Sequence, residues 1–433
     1  MGGRSRASVG GSVRRGIVVD AGEASVIGAR VRMIRRRRGL SLVVVAGLTG
    51  ITKQYLSALE LGKRGFNRRG LVEDLANALG CSVADLTGQP DLAPDRASAE
   101  ALATLPEIGM ALSDVTLDDV PDVPARPIEQ LARLVAQATD HLDQTRYALS
   151  GRGLGMVLIE LQVHVVTGDT ETRQRALATF VEACRVAMST AKFLGQHTIA
   201  VLAGRRGYDA AQRLGDPALI GFGAYIRSNA LMNSGAARGR VTHLLTANIE
   251  TLAEKADPTV PDPSTAEAYG LLHTYAALDA ARAHRAADAR DHLREADAIA
   301  RRTGERNTMA LHFGPTDMAL ASLAIAVELG DGPAAYDRLT AHPINVEALG
   351  SANRLATLHI DSARALAQAQ GTRDADTIRH LDRADRIAPV LVRNDPWARE
   401  LVVVLDRRAR RRVWELDSLC NRFGLGRPGS TRR

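Results

Sequence analysis

The chain has 433 residues, 45% hydrophobic and 24% charged, which is ordinary for a globular protein and long enough for two or more domains with their own cores. Aromatic residues make up only 3%, and Ala, Leu and Arg abound, so helix is favoured over sheet. Cys81, Cys184 and Cys420 are too far apart for a zinc pattern and too few for a disulfide framework, which points to a reducing cytoplasm. Only four of the 56 basic residues are lysines (Lys53, Lys63, Lys192 and Lys255), a bias that fits codon usage in a GC-rich genome. No apolar run approaches the length of a membrane span, and the basic N-terminus lacks the apolar stretch of a signal peptide. The net charge of +7 is uneven: residues 1–90 hold 15 Arg/Lys against 6 Asp/Glu, and the remainder 41 against 43. A basic head on a nearly neutral body points to a polyanion-binding module attached to something else.

Residues 1–22, rich in Gly, Ser and Arg, are expected to form a disordered basic arm. Residues 23–90 then divide into short helical pieces. Ile27, Val31 and Ile34 share one face of a first helix that ends in Arg35–Arg36–Arg37–Arg38–Gly39. Ser41 caps a second helix, Gly50 makes a turn, and Thr52 caps a third from Lys53 to about Leu59. A fourth runs from about Arg68 to Leu79, with Leu71, Leu75 and Leu79 inward, and Val83 to Leu86 make a fifth. Val43–Val44–Val45 would suit a strand, but at about 100° per residue Val45, Ala46, Leu48 and Thr49 fall on an inward helical face. Val43, Val44 and Gly47 then form an outer apolar stripe, expected to touch either a second head or the chain's own body.

A helix, a tight Gly turn and a second helix form the geometry that places the second helix in the major groove. Through "IGARVRMIRRRRGLS", "GITKQYLSALELGKR" and "LANALGCSVADL", residues 25–88 resemble the Xre/Cro type of helix-turn-helix, a lambda-repressor-like five-helix domain. That resemblance implies base contacts from Lys53 and Gln54, with Ser57 and Ala58 one turn further on. Arg35, Arg36, Arg37, Arg38, Lys63 and Arg64 are expected at phosphates, which position without specifying. Tyr55, Leu56 and Leu59 are expected in the core. One position departs from the family pattern: Leu42 stands where relatives carry a phosphate-gripping Gln.

Residues 91–127, with six prolines at or near their bounds and the acidic run "SDVTLDDVPDVP", are expected to form a linker around one short helix at Ile108–Leu112. Residues 128–425 are amphipathic helices punctuated by Gly and Pro, and 426–433 a disordered tail. "ADARDHLREADAIA" (287–300) matches "ADTIRHLDRADRIA" (375–388) at an offset of 88 residues, with a weaker copy, "HLLTAN", at 243–248. The offset fits irregular hairpins better than strict 34-residue tetratricopeptide units, so the body resembles a divergent tetratricopeptide-like α-solenoid. Repeating His243, His292 and His380 sit in successive hairpins and need not meet.

The fold class expected is therefore all-α, a helix-turn-helix head followed by a tetratricopeptide-like solenoid. Through "LGDPALIGFGAY", "HFGPTDMALASLAIAVELGD" and "RLATLHIDSARALAQ" the whole chain resembles a set of actinobacterial regulators that join such a head to such a body. The resemblance implies a transcription regulator, binding double-stranded DNA as a homodimer in the cytoplasm at the nucleoid, with no membrane involved. Its solenoid would sense a peptide, a small molecule or a protein partner. The alternative is an antitoxin-like or scaffold adaptor whose head only autoregulates its operon. Phosphate-loop, zinc-pair and nucleophile-turn motifs are missing, so no enzyme activity, catalytic residue, metal or cofactor is expected. An effector pocket is expected where Gly and Pro break an apolar helical region, with Phe313, Thr316 and Asp317 on one side and Asn353, Arg354 and His359 opposite.

Overall fold

The computed structural model describes residues 26–88, 95–114, 116–232, 238–257, 259, 260, 262–409, 411 and 413–425. Among them every regular element is a helix, so the chain is all-α. The arm expected at 1–22 and the tail expected at 426–433 lie outside the described residues.

The head comprises α1 (Val26–Arg37), α2 (Leu42–Leu48), α3 (Lys53–Glu60), α4 (Arg69–Leu79) and α5 (Val83–Thr87). Local chemistry sets these boundaries. The hydroxyls of Ser41 and Thr52 accept from the amides of Val44 and Tyr55, each at 3.2 Å. Gly50 turns the chain between α2 and α3 at φ +66°, a conformation strained for any residue with a Cβ. Ser82 and Asp85 form a reciprocal capping box at α5. Ile27, Val31, Val45, Leu56, Leu59 and Leu75 close one core. Leu48 departs from its expected inward position and is 64% exposed. With Val45 and Ala46 defining the inward direction, Leu48 lies beyond a right angle from it at about 100° per residue.

The segment expected as a linker carries two helices rather than one, α6 (Arg96–Leu102) and α7 (Leu105–Asp114). Both belong to the body: Leu105, Ile108 and Leu112 are buried in the core shared with α8 (Ile128–Asp143), α9 (Tyr147–Gly151) and α10 (Leu154–Thr167). Helices then stack in succession: α11 (Thr170–Phe193), α12 (His197–Leu214), α13 (Pro217–Met232), α14 (Arg238–Leu252), α15 (Ser264–Arg282) and α16 (Ala286–Thr303). They continue with α17 (Pro315–Leu329), α18 (Gly332–Ala341), α19 (Ala352–Ala367), α20 (Asp374–Ile387), α21 (Pro389–Asn394), α22 (Pro396–Arg408) and α23 (Trp414–Arg422). The stretch Tyr147–Thr167 is long and apolar enough to cross a membrane, a length the sequence reading did not credit. It lies half buried in the body, with Leu154, Leu158 and Leu161 in the core and Glu160 paired to Arg126 at 2.7 Å.

The two matching stretches are α16 and α20, the second helices of the hairpins α15–α16 and α19–α20. Their shared histidines each meet a histidine of the same hairpin. His292 Nδ1 lies 3.0 Å from His273 Nδ1, and His380 Nδ1 lies 3.0 Å from His359 Nδ1. The Gly-Pro break is the start of α17: Pro315 takes a first-turn position, where the missing N–H has no helical acceptor to lose.

The head docks on the body through α4 and through α1, which packs on α22 with the Ile27 amide donating to Glu400 at 3.4 Å. Helix α4 has no cap of its own, because Arg68 stands at its N-cap and offers no acceptor. Glu328 of α17 supplies one: its Oε2 accepts from the Arg69 amide at 2.8 Å and the Gly70 amide at 3.4 Å. Arg364 holds the other oxygen at 2.7 Å, with Arg282 at 3.9 Å. Burial opposes the charge on Glu328, but Arg364 and then Arg282 outweigh it and hold the carboxyl below its ordinary range. Glycine is needed at position 70, since a Cβ there would press into the carbonyl oxygen of Arg282. Arg238 pairs with Glu73 at 2.7 Å and Asp74 at 3.0 Å, and the Arg69 guanidinium lies over the Trp397 ring, 4.6 Å from its centroid.

Candidate nucleic-acid interface and internal cavity

Because α1 and α4 carry the docking, the faces bearing Val43, Val44, Lys53 and Gln54 stay exposed. Lys53 and Gln54 open α3, and Ser57 and Ala58, half-buried, follow one turn later on the same side. The first turn of a helix adds free amide donors and a positive dipole end to that lysine. Lys63 and Arg64 are exposed just beyond α3, with the Arg64 guanidinium 5.5 Å from the Tyr55 ring centroid. Leu56 and Leu59 are fully buried and Tyr55 packs half-buried against them. Leu42, at the position where a Gln would reach a phosphate, packs instead against the head core.

The arginine run at the end of α1 divides. Arg35, expected at a phosphate, is 8% exposed and grips Glu60 with Nε at 2.6 Å and a second nitrogen at 2.8 Å. It also donates to the Leu40 carbonyl at 2.9 Å. The hydrogen bonds to Glu60 raise its pKa further, so Arg35 is a clamp between α1 and α3 and not a phosphate ligand. Arg38 donates to the Gly80 carbonyl at 2.8 Å from an exposed position. Among the described residues Arg36 and Arg37 have no ion-pair partner, and both are exposed. Val43 and Val44 are 61% and 47% exposed, so the expected docking of this stripe on the chain's own body does not occur: α1 and α4 take that contact.

A cavity of about 720 Å³ lies inside the body, and Arg69, Val83, Ala84 and Thr87 of the head form part of its wall. Of the expected pocket residues, Asp317, Asn353 and Arg354 line it. Arg354 pairs with Asp317 at 3.1 Å and donates to the Leu311 carbonyl at 2.6 Å, while Asn353 donates to the Leu142 carbonyl at 3.4 Å. Burial pushes the Asp317 carboxyl up against the pull of Arg354. Phe313, Thr316 and His359 are elsewhere. Phe313 is 2% exposed and packs on Gly270, the Thr316 amide donates to Glu305, and His359 turns away from the cavity to meet His380. Helical phase explains the last case: Asn353, Arg354, Thr357, Ile360 and Asp361 already define the inward face of α19.

Sequence reasoning missed Arg185, Ser189 and Lys192, which line the cavity from α11, and Tyr225 from α13. A signal was present: "CRVAMSTAKF" places Arg185 and Lys192 seven residues apart in an otherwise small and apolar helix. Among the described residues no group of three or more His, Cys, Asp or Glu is arranged to hold a metal ion.

Residues 26–87 match the family model described as a helix-turn-helix domain, from the first residue of α1 to the last of α5. No curated protein and no solved structure matches the chain. The chain thus carries a helix-turn-helix head, the mark of a DNA-binding regulator.

Proposed function

We propose that the protein is a sequence-specific transcription regulator of the Xre type, in which a tetratricopeptide-like body senses an effector and governs the head. The observation that carries the DNA-reading half is the placement of Lys53 and Gln54: both open α3 at exposed positions while the body grips the head through α1 and α4. Lys suits guanine acceptors and Gln suits the adenine edge. Lys63, Arg64, Arg36 and Arg37 supply the surrounding positive charge for phosphates.

Sensing is supported by the shared wall. Arg69, Val83, Ala84 and Thr87 of the head border the same cavity as Arg354 and Asp317 of the body, so an occupant would touch both. Such an occupant shifts DNA affinity only by its differential affinity for two arrangements of the head. In this reading the regulator acts as a cytoplasmic homodimer without enzymatic activity, and the exposed Val43, Val44 and Leu48 are available for contact between two heads. Selection of bound duplexes from a random pool tests the proposal. Enrichment of one motif with two related half-sites is expected; a pool that stays random contradicts it. Sedimentation equilibrium tests the dimer.

A further inference from the structure

The cavity wall contains charges that do not balance locally. Each carboxylate on it has a partner. Asp143 meets His312 Nε2 and Ser351, both at 3.1 Å. Asp317 has Arg354, Glu328 and Asp361 share Arg364, and Asp395 meets Arg69 at 3.4 Å. Two cations are left over. Arg185 is 4% exposed, makes one hydrogen bond, to Thr139 Oγ1 at 2.9 Å, and its Nε has no partner among the described residues. Lys192 donates to Asn229 Oδ1 at 3.3 Å and rests on the Phe193 ring at 4.6 Å, with no carboxylate in ion-pair range among the described residues. Both lie on one stripe of α11 with Ser189 between them, at a spacing of four and then three residues.

The groups facing Lys192 deepen the imbalance. Arg69 comes from the head, Arg282 from α15, Arg354 from α19 and His197 from the start of α12. At Arg185 burial is the first to oppose the charge; Tyr225, Asp143 and Glu182 favour it from outside ion-pair range and Arg354 opposes it, so the positive excess is centred on Lys192. A buried cation without a counter-charge destabilises the fold, and a chain that keeps two of them gains by holding an anion there. Tyr225 adjoins the cations, its hydroxyl accepting from Asn229 at 3.3 Å, and it meets Tyr275 edge to face at 4.8 Å; Leu271, Leu278 and Leu320 add apolar surface to the same wall. Convergent polar groups beside apolar surface in a cavity of several hundred Å³ are the usual form of a small-molecule site.

We infer that the cavity binds an amphipathic organic acid, its anionic group held by Arg185, Ser189 and Lys192 and its apolar body laid along Tyr275, Leu271 and Leu278. The inference names the ligand class of the sensing site proposed above and rests on that reading only for the consequence on DNA. Binding itself is a property of the body. Burial, with Arg69, Arg354 and Arg282 nearby, brings the Lys192 ammonium down to about 7. An anion beside it favours the charged form, so affinity should fall as pH rises through neutrality.

The test uses the full chain without DNA and two fluorescent probes of similar shape, 1-anilinonaphthalene-8-sulfonate and the uncharged N-phenyl-1-naphthylamine. The sulfonate should bind at one saturable site per chain. Arg185→Met and Lys192→Met should each weaken it about tenfold or more while changing the uncharged probe by about twofold or less. Lys192→Met should not lower the melting temperature, since it removes a buried cation with no carboxylate in ion-pair range among the described residues. Across pH 6–8.5 the sulfonate stays charged, so a decline in affinity in the wild type that disappears in Lys192→Met would belong to that side chain. Decanoate should displace the sulfonate and decylamine should not. Sulfonate binding that ignores both substitutions, or a loss matched by the uncharged probe, would overturn the inference and leave the DNA-reading proposal standing.

Discussion

The outer face of α3 and the interior cavity are both lined with cations that lack carboxylate partners, yet they differ in how much water reaches them. Lys53, Lys63 and Arg64 are exposed, where an unpaired charge costs little and where salt screens partners beyond about 8 Å at physiological ionic strength. Arg185 is 4% exposed, and an anion seated beside it would be screened far less. The same residue types therefore suit different partners. A long polyanion is held by many weak exposed contacts, and a single small anion by a few strong enclosed ones.

Salt should separate the two regions most sharply. If a bound dimer makes about 6–10 phosphate contacts, duplex affinity should fall about 10³–10⁵-fold between 50 and 200 mM salt. Sulfonate binding in the cavity should change by about threefold or less over the same range, because enclosed pairs are screened far less. Fluorescence anisotropy and the probe titration give the two slopes, and equal slopes would break the comparison.

The next largest effect concerns the joint between the regions. Glu328→Ala leaves Arg364 with Asp361 alone, Arg282 with Glu73 alone at 3.7 Å, and α4 without its cap, a loss of about 3 kcal/mol. Trp397 lies under Arg69 at this joint, and the only other tryptophan is Trp414. In a Trp414→Phe background, Glu328→Ala should lower the melting temperature and shift Trp397 emission to the red. Unchanged melting and emission would show that Glu328 does not hold the head.

The histidine pairs give a pH effect. Within each pair one Nδ1–H donates to the other Nδ1, an arrangement that requires the accepting ring to be neutral. Burial, reinforced by its neighbour His292, lowers His273 to about 4, and burial with His359 lowers His380 to about 4. The unfolded chain binds these protons from about 6.5 downward, so stability is complete above that pH and is lost as pH falls toward 4. Each pair should lose about 1–2 kcal/mol between pH 7 and 5. Thermal melts at the two pH values check this, and His273→Asn with His380→Asn should flatten the difference. The smallest effect belongs to Val43→Glu with Val44→Glu: both side chains are exposed, so stability should stay within about 0.5 kcal/mol. A larger change in sedimentation than in melting would assign the stripe to a second copy.

Legibility followed the range of the forces involved. Caps, Gly turns and helical phase act within a few residues, and Ser41, Gly50 and Thr52 mark the bounds of α2 and α3 from the sequence alone. Arg35 was misplaced because its partner Glu60 is 25 residues away, and nothing in a run of four arginines marks the one that turns inward. The Glu328 cap joins residues 259 apart and is visible beforehand only as a missing acceptor at Arg68. For the cavity, the break at Gly314–Pro315 drew attention to Asp317 and Arg354, but the stripe on α11 needs the packing of α13, α15, α17 and α19 around it before it becomes a wall.

The most direct test of the central claim, that α3 reads DNA sequence from an exposed face, is a comparison of binding energies for the selected duplex and for single-base variants of it. Lys53→Ala and Gln54→Ala should each lose about 1–3 kcal/mol of discrimination at particular base pairs, with Lys63→Ala weakening all duplexes alike. If the Lys53 and Gln54 variants keep the full discrimination of the wild type, α3 does not read the site and the account is wrong.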